Sequence, residues 1–306
     1  MIAALARSGR WMLPGGLAIG LASPALAEAM RPTIGPVVVI LLFLAVLRIG
    51  PEGLRIGRAG LMRAGLRALV LQLALPLAVA LPLAALGLLQ GSFALGAVLF
   101  LCAAPLTGAA HFAIMAGGDP APALRQTVIG TALLPVTVVP VFALAPAFGG
   151  ASEVIAAVLR LLAVIAVAGG LALLLRSRGI VRGTPRVMTV IDAIAAVLLA
   201  AVVIGIMSAV GQTLRDDPAM FWRAMILVCA IGFGLQALAV LVLRAGPERP
   251  ALAVVAGNRN VALFLGVLPT AVTDDLLLLI GCFQVPMYLT PLVLPRLIAF
   301  RDRRLC

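Results

Sequence analysis

Residues 187–211 read VMTVIDAIAAVLLAAVVIGIMSAVG, with a single charged side chain at Asp192. A helix needs roughly 20 apolar residues to cross about 30 Å of hydrocarbon, so this stretch is long enough to span a bilayer. The same bias extends over the whole chain, because 63% of its 306 residues are hydrophobic and 11% are charged. In soluble domains about 45–50% of the residues are hydrophobic and about 25% are charged. The sequence therefore predicts an all-α polytopic membrane protein.

Ten apolar runs of this kind occur along the chain, and the segments between them carry most of the charge. The runs lie at about 11–27, 33–49, 65–89, 93–116, 125–147, 153–175, 187–211, 219–243, 250–270 and 275–299. With the N-terminus inside, 18 of the 23 basic residues, all of them arginine, fall on the internal side. The positive-inside rule therefore predicts ten spans in a bacterial inner membrane, with both termini cytoplasmic.

The first run has two interpretations. Arg7 and Arg10 precede a short apolar stretch, and the small residues Ser23-Pro24-Ala25-Leu26-Ala27 end it. These features fit a retained helix, which we favour, and they also fit a cleaved signal peptide over residues 1–27. Either outcome leaves the later spans on the same sides of the membrane.

Charge pattern and motif content argue against several classes of protein. The net charge of +12 is divided among short segments between apolar runs, which is typical of membrane topology rather than of a nucleic-acid surface. The four cysteines are far apart, so neither a disulfide framework nor a metal site is predicted. No HExxH, GxSxG or DDxxD pattern occurs, and we expect no enzyme activity and no cofactor. The expected partners are membrane lipid and a small solute.

The ten runs divide into two sets of five, residues 1–150 and 151–306, within one membrane domain. An odd number of spans per set makes any repeat inverted in the membrane. Pro135 and Pro140 of the fifth run recur 151 residues later in the tenth, and Gly108 of the fourth recurs 149 residues later in the ninth. Two offsets near half the chain length favour an inverted repeat.

Helix-breaking or polar residues interrupt the fourth and ninth runs. The fourth contains Ala103-Ala104-Pro105-Leu106-Thr107-Gly108 and ends at Gly117-Gly118-Asp119, whereas the ninth contains Gly257-Asn258-Arg259-Asn260. Proline removes a backbone donor and glycine weakens a helix. Transporters with inverted repeats bind solutes at such interruptions near the bilayer midplane. The substrate-binding residues expected there are Thr107, Gly108, His111, Asn258, Arg259 and Asn260.

This arrangement resembles the bile acid:sodium symporter family, whose members have two five-helix repeats and two unwound helices that cross. The resemblance covers most of the chain. It runs from the first two spans through Gln72, Gly118-Asp119, Thr127 and the segment from Thr131 to Pro135 to the Gly257–Asn260 segment. It implies two inverted repeats, crossing fourth and ninth helices, and secondary transport of an organic anion with sodium.

The sodium ligands that the resemblance implies are largely lost. The family's first site uses a Ser-Asn pair, a Ser, a Thr and a Glu, and the matching residues here are Ala109, Ala110, Ala123, Thr127 and Val255. Its second site uses a Gln, a Glu and a Gln, which here are Gln72, Val255 and Arg259. A slip of one residue would place His111 at the Asn position but restores no Glu. The shared carboxylate is missing, and a cation stands where a neutral ligand is expected.

Arg259 and sodium are electrostatically incompatible as neighbours. A guanidinium within about 4 Å of sodium costs on the order of 4 kcal/mol at an effective dielectric near 20. We therefore hypothesise that Arg259 permanently supplies the charge that sodium supplies in relatives, so transport is sodium-independent or coupled to another ion. The guanidinium is also suited to pairing with the carboxylate of a solute. The structural alternative is a buried ion pair with Asp192, the only acidic residue deep in a predicted span.

The sequence therefore predicts a secondary transporter that moves a small organic anion by alternating access. Two alternatives stay open. One is a non-transporting membrane sensor, and the other is a carrier like the related arsenite permeases, which use a thiolate in the fourth helix near the place of Cys102. His111, the chain's only histidine, is a further candidate for proton coupling because imidazole titrates near neutral pH. The polar interruptions and Arg259 favour the organic anion.

Overall fold

Helices form the regular elements of the described chain, apart from one isolated β-bridge. The computed structural model describes residues 15–54, 57–268 and 270–303. Residues 1–14, which begin the first run and the alternative signal peptide, lie outside this part. The described remainder of that run is helical from 15 to 22 and continues into α1 (Pro24–Met30).

The helices that follow alternate between long, continuous spans and short pieces. They are α2 (Ile34–Ile49), α3 (Arg58–Leu69), α4 (Leu75–Ala85), α5 (Ser92–Cys102), α6 (Ala109–Met115), α7 (Pro120–Thr137), α8 (Val139–Leu144), α9 (Ala151–Ser177), α10 (Pro185–Asp216), α11 (Pro218–Val242), α12 (Arg249–Gly257), α13 (Ala262–Leu265) and α14 (Thr270–Arg303). A π-helical segment, Val70–Ala74, joins α3 to α4.

Within the described residues, seven helical stretches are long and apolar enough to cross a membrane. They are Pro24–Ile49, Arg58–Ala85, Pro120–Leu144, Ala151–Ser177, Pro185–Asp216, Pro218–Val242 and Leu276–Arg303. In α9 only 17% of the apolar window is buried inside the protein, and side chains such as Leu159 and Val167 are exposed. Exposed apolar area on this scale requires a non-aqueous environment. The chain is an all-α multi-pass membrane protein, as its composition predicts.

The seven stretches coincide with the second, third, fifth, sixth, seventh, eighth and tenth predicted runs. The fourth run is divided into α5 and α6, and the ninth into α12 and α13. Pro105 disfavours helical geometry at Ala104 and has no N–H to continue the ladder, so α5 ends at Cys102. The ninth run breaks after Gly257, where Asn258 adopts extended geometry. Both interruptions lie where the sequence predicts them.

The described helices group into two compact units, each drawn from both halves of the sequence. Of the described residues, unit 1 comprises 15–54, 159–222, 262–268 and 270–281, and unit 2 comprises 57–158, 223–261 and 282–303. The sequence halves 1–150 and 151–306 therefore each contribute helices to both units.

In unit 1, α10 packs along α1 and α2. Gly205 permits this close approach, because a Cβ there would come within 3.0 Å of Cγ1 of Ile34. At the other end of α2, Nε of Arg48 donates to the carboxylate of Asp192. Helices α2 and α10 therefore contact each other at Gly205 near one end of α2 and through the Arg48–Asp192 ion pair near its other end.

In unit 2, α7 packs against α3, α6 and α12, and α12 also packs against α6. The shared core is built from small apolar side chains, including Ala113, Ala251 and Val254, each with no exposed surface. Small residues let helix backbones approach closely in membranes. This packing brings the breaks after α5 and after α12 together.

Candidate functional site

The two interrupted helices are bonded to each other through their backbones. The N–H of Leu106 donates to the carbonyl of Asn258 at 2.9 Å, and the N–H of Asn260 donates to the carbonyl of Ala104 at 2.7 Å. Together they form an antiparallel bridge between Pro105 and Arg259. Broken helices expose polar backbone groups, which are costly in an apolar environment unless they find partners. Each interrupted helix therefore supplies hydrogen-bond partners for backbone groups of the other.

Arg259 lies at this bridge with 2% of its surface exposed. Its Nε donates to the carbonyl of Ala256 at 3.0 Å, Nη1 to that of Ala103 at 3.1 Å and Nη2 to that of Leu71 at 3.2 Å. No carboxylate of the described residues forms an ion pair with this guanidinium. The cation is therefore held by carbonyl dipoles from three segments of the chain.

All three carbonyls lie where an α-helical ladder is interrupted. Ala103 follows the end of α5, and Ala256 lies in the last turn of α12, where carbonyls have no partner within the helix. Leu71 lies in the π-helical segment Val70–Ala74. Pro76 comes just after that segment and has no N–H to donate to the turn before it. The oxygen ligands of Arg259 are thus a product of three local breaks.

Gln72, one of the predicted remnants of an ion site, lies in the π-helical segment and has no exposed surface. Neither amide atom of its side chain has a hydrogen-bond partner within the described residues. A Cβ on Gly130 would come within 2.5 Å of its Nε2 and 2.7 Å of Cδ of Pro105. A buried amide without a partner costs about 1–3 kcal/mol. The unpartnered amide lies on a π-helical segment, a kind of element that is often found at functional sites.

Three of the positions that match sodium ligands in the family that the sequence resembles come together in an apolar cluster. Ala109, Ala123 and Val255 have no exposed surface and belong to one hydrophobic core, next to which Ala110 is half-buried. The hydroxyl of Thr127 donates to the carbonyl of Ala123 at 3.0 Å. Hard cations require several oxygen ligands, whereas the side chains at the three buried positions present only methyl groups.

A chain of polar side chains that was not predicted from the sequence supports the second break. Nε2 of Gln236 donates to Oγ1 of Thr290 at 2.9 Å, and the Thr290 hydroxyl reaches Oδ1 of Asn258 at 3.2 Å. All three side chains are buried. Nδ2 of Asn258 is buried without a partner in the described part of the chain. Two features of the sequence point to this chain of side chains: Gln236 lies inside the apolar helix α11, and Thr290 lies between Pro286 and Pro291.

The predicted substrate-binding residues separate into an inaccessible and an accessible group. Asn258 and Arg259 are buried, whereas Thr107, Gly108 and Asn260 are half-buried and His111 is exposed. Only the second group presents side-chain or backbone surface to a solute without a rearrangement of the bridge.

The pairing of Arg259 with Asp192 requires correction. Asp192 accepts a hydrogen bond from Arg48 inside unit 1, and its side chain is 39% exposed. Arg259 instead donates to backbone carbonyls inside unit 2. The position of Asp192 within an apolar run suggests a deep carboxylate, but Asp192 lies close enough to the end of its helix to meet Arg48 in the last turn of α2.

The described residues contain no group of three His, Cys, Asp or Glu side chains able to hold a metal ion. The thiol of Cys102, the candidate for an arsenite-permease type of chemistry, is fully buried and lies 3.4 Å from the carbonyl of Leu99. No protein-family model matches the chain, and no curated protein matches it.

Proposed function

We propose that the chain is a secondary transporter of a small organic anion that works without a sodium gradient. The observation that carries this proposal is the Arg259 guanidinium, buried and bonded to three backbone carbonyls where two interrupted helices meet. Unwound backbone carbonyls at broken helices are the ligands with which many carriers hold sodium. Arg259 satisfies ligands of that kind with a cation that is covalently attached.

A tethered cation changes the energetics of transport. Sodium drives a carrier because it binds from one solution and dissociates into the other, whereas a guanidinium on the chain returns with every cycle. The apolar cluster at Ala109, Ala123 and Val255 supports the same conclusion, because it provides no oxygen shell for a second ion. The carrier then equilibrates its solute or couples it to a different ion.

The proposal includes a finer architecture of ten spans in two inverted five-helix repeats. In it the fourth and ninth helices are broken and cross near the bilayer midplane, as in the bile acid:sodium symporter family that the sequence resembles. Support comes from the backbone bridge between Pro105 and Arg259 and from the matching offsets of prolines and glycines. Both termini are placed in the cytoplasm and the protein in a bacterial inner membrane, in accord with the arginine bias.

The fixed positive charge of Arg259 favours an anionic solute. A guanidinium in a region of low dielectric constant attracts an anion more strongly than it would in water. Arg259 is buried and uses three of its five N–H donors on backbone carbonyls, so it acts on the solute through its electric field. We assign the direct contacts to the accessible residues Thr107, Gly108, His111 and Asn260.

Uptake into liposomes by the purified full-length chain tests this function. A panel of radiolabelled mono- and dicarboxylates is offered with sodium outside, and then with choline replacing sodium. We expect at least one acid to accumulate above empty liposomes, at equal rates in the two media. Strict dependence on sodium would refute the substitution by Arg259. Saturable binding of an acid with no flux in either medium would favour the sensor instead.

A further inference from the structure

A basic pocket of about 350 Å³ lies at the loop between α11 and α12. Arg67, Arg244 and Arg249 line it together with one acidic residue, Glu248. Leu243 and Leu252 supply part of its apolar wall. This pocket belongs entirely to unit 2 and shares no residue with the Arg259 site.

The charges around the pocket leave an excess of positive charge. Guanidinium nitrogens of Arg67 and Arg125 each lie 3.7 Å from the carboxylate of Glu248, which is therefore shared between two cations. Arg244 is exposed and has no hydrogen bond or ion pair with any described residue.

Arg249 adds a buried cation to the same wall. It forms a two-bond fork with Asp302, one bond being 2.9 Å, although only 4% of Arg249 is exposed. Its Nε is buried without a partner in the part of the chain that the structure describes. The four arginines are thus balanced by only two carboxylates, and a buried donor remains unused.

Apolar surface adjoins this basic pocket on two helices. Leu241 and Val242, at the end of α11, are 63% and 72% exposed. Leu66 and Leu69 on α3, beside Arg67, are 63% and 42% exposed. A soluble anion would make no favourable apolar contact with these side chains, whereas an acyl chain would bury their apolar surface.

We propose that this pocket binds the phosphate group of an anionic phospholipid, with the acyl chains lying along the exposed sides of α3 and α11. A guanidinium matches a phosphate geometrically and electrostatically. Basic pockets between transmembrane helices are a recurring form of anionic headgroup recognition. The site does not depend on the transport activity proposed above.

The test is a lipid titration of the purified full-length chain followed by native mass spectrometry. Dioleoylphosphatidylglycerol and dioleoylphosphatidylcholine are compared on the wild type and on the double variant Arg67→Gln/Arg244→Gln. Each arginine near a membrane surface contributes about fivefold to binding of anionic lipid, so we expect the double variant to lose on the order of 25-fold in affinity for phosphatidylglycerol. Phosphatidylcholine binding should stay unchanged.

The matched control is Arg178→Gln/Arg182→Gln, which removes the same charge from two exposed residues elsewhere. An equal loss in this control would overturn the proposal, because general surface charge would then explain the binding. Inorganic phosphate added alone should not displace the lipid; full displacement would assign the pocket to a soluble anion instead. If the double variant does not fold, Arg244→Gln alone carries the test, with about a fivefold loss expected.

Discussion

At the scale of single residues, Arg259 shows how a buried charge is tolerated where no carboxylate of the described residues pairs with it. Charges inside a membrane protein are costly and usually meet an opposite charge. Here the guanidinium instead meets carbonyl oxygens at three interrupted points of the backbone. Removing it would leave those carbonyls without partners as well as a cavity, so cation and breaks stabilise each other.

We predict that Arg259→Ala abolishes solute uptake and lowers the melting temperature. The loss of the hydrogen bonds and the cavity together cost about 3–5 kcal/mol. Guanidinium ion added to the medium should restore part of both properties, because it fits the same three oxygens. Thermal unfolding and uptake are measured with guanidinium, sodium or choline at equal low concentration.

The conservative variant separates charge from geometry. Arg259→Lys keeps the charge but concentrates its donors on one nitrogen, which cannot reach carbonyls spread around a planar fork. It should retain sodium-independent uptake at a reduced rate. Rescue of Arg259→Ala by choline as well as by guanidinium would argue against a specific cation site.

At the scale of elements, Gly257 and Gly232 set the distance between α12, which ends at the second break, and its neighbour α11. A Cβ added to Gly257 at the end of α12 would come within 2.5 Å of Cγ of Gln236 on α11 and still closer to the carbonyl of Gly232. Backbone atoms of a helix cannot yield as a flexible side chain does. The close approach therefore places Gln236 where Thr290 can link it to Asn258.

We predict that Gly257→Ala destabilises the protein by about 1–3 kcal/mol, the usual cost of overpacking a core. Uptake should fall with it, because the chain from Gln236 to Asn258 is displaced. Gly234→Ala on the neighbouring helix α11 is the matched control. A Cβ there meets nothing within 4 Å, and alanine favours a helix by up to about 1 kcal/mol over glycine. Equal melting temperatures for the two variants in detergent would contradict this interpretation.

At the scale of the whole molecule, the arginine distribution predicts orientation. The start of α9 near Glu153 is expected outside and the segment after it, near Arg178, inside. In a cysteine-free background, Glu153→Cys should react with a membrane-impermeant maleimide in intact cells. Arg178→Cys should react only after permeabilisation. The reverse labelling pattern would contradict the predicted topology.

Local sequence predicts the membrane class and the places of both breaks, because apolar length and the missing N–H of Pro105 act within a few residues. The partners of Arg259 were not predictable, since backbone carbonyls leave no mark in a sequence. Asp192 was misassigned because its partner, Arg48, lies 144 residues away in the chain. The π-helical turn at Gln72 has a signal only in retrospect, in the proline that follows it.

The backbone bridge between the two breaks also constrains biogenesis. The segment around Pro105 is synthesised and inserted long before Asn258 and Asn260 leave the ribosome. Until then the carbonyl of Ala104 and the N–H of Leu106 lack the partners that they have in the finished protein. The first break therefore reaches its final geometry only after nearly all of the chain has been translated, and truncation before residue 258 leaves it unfinished.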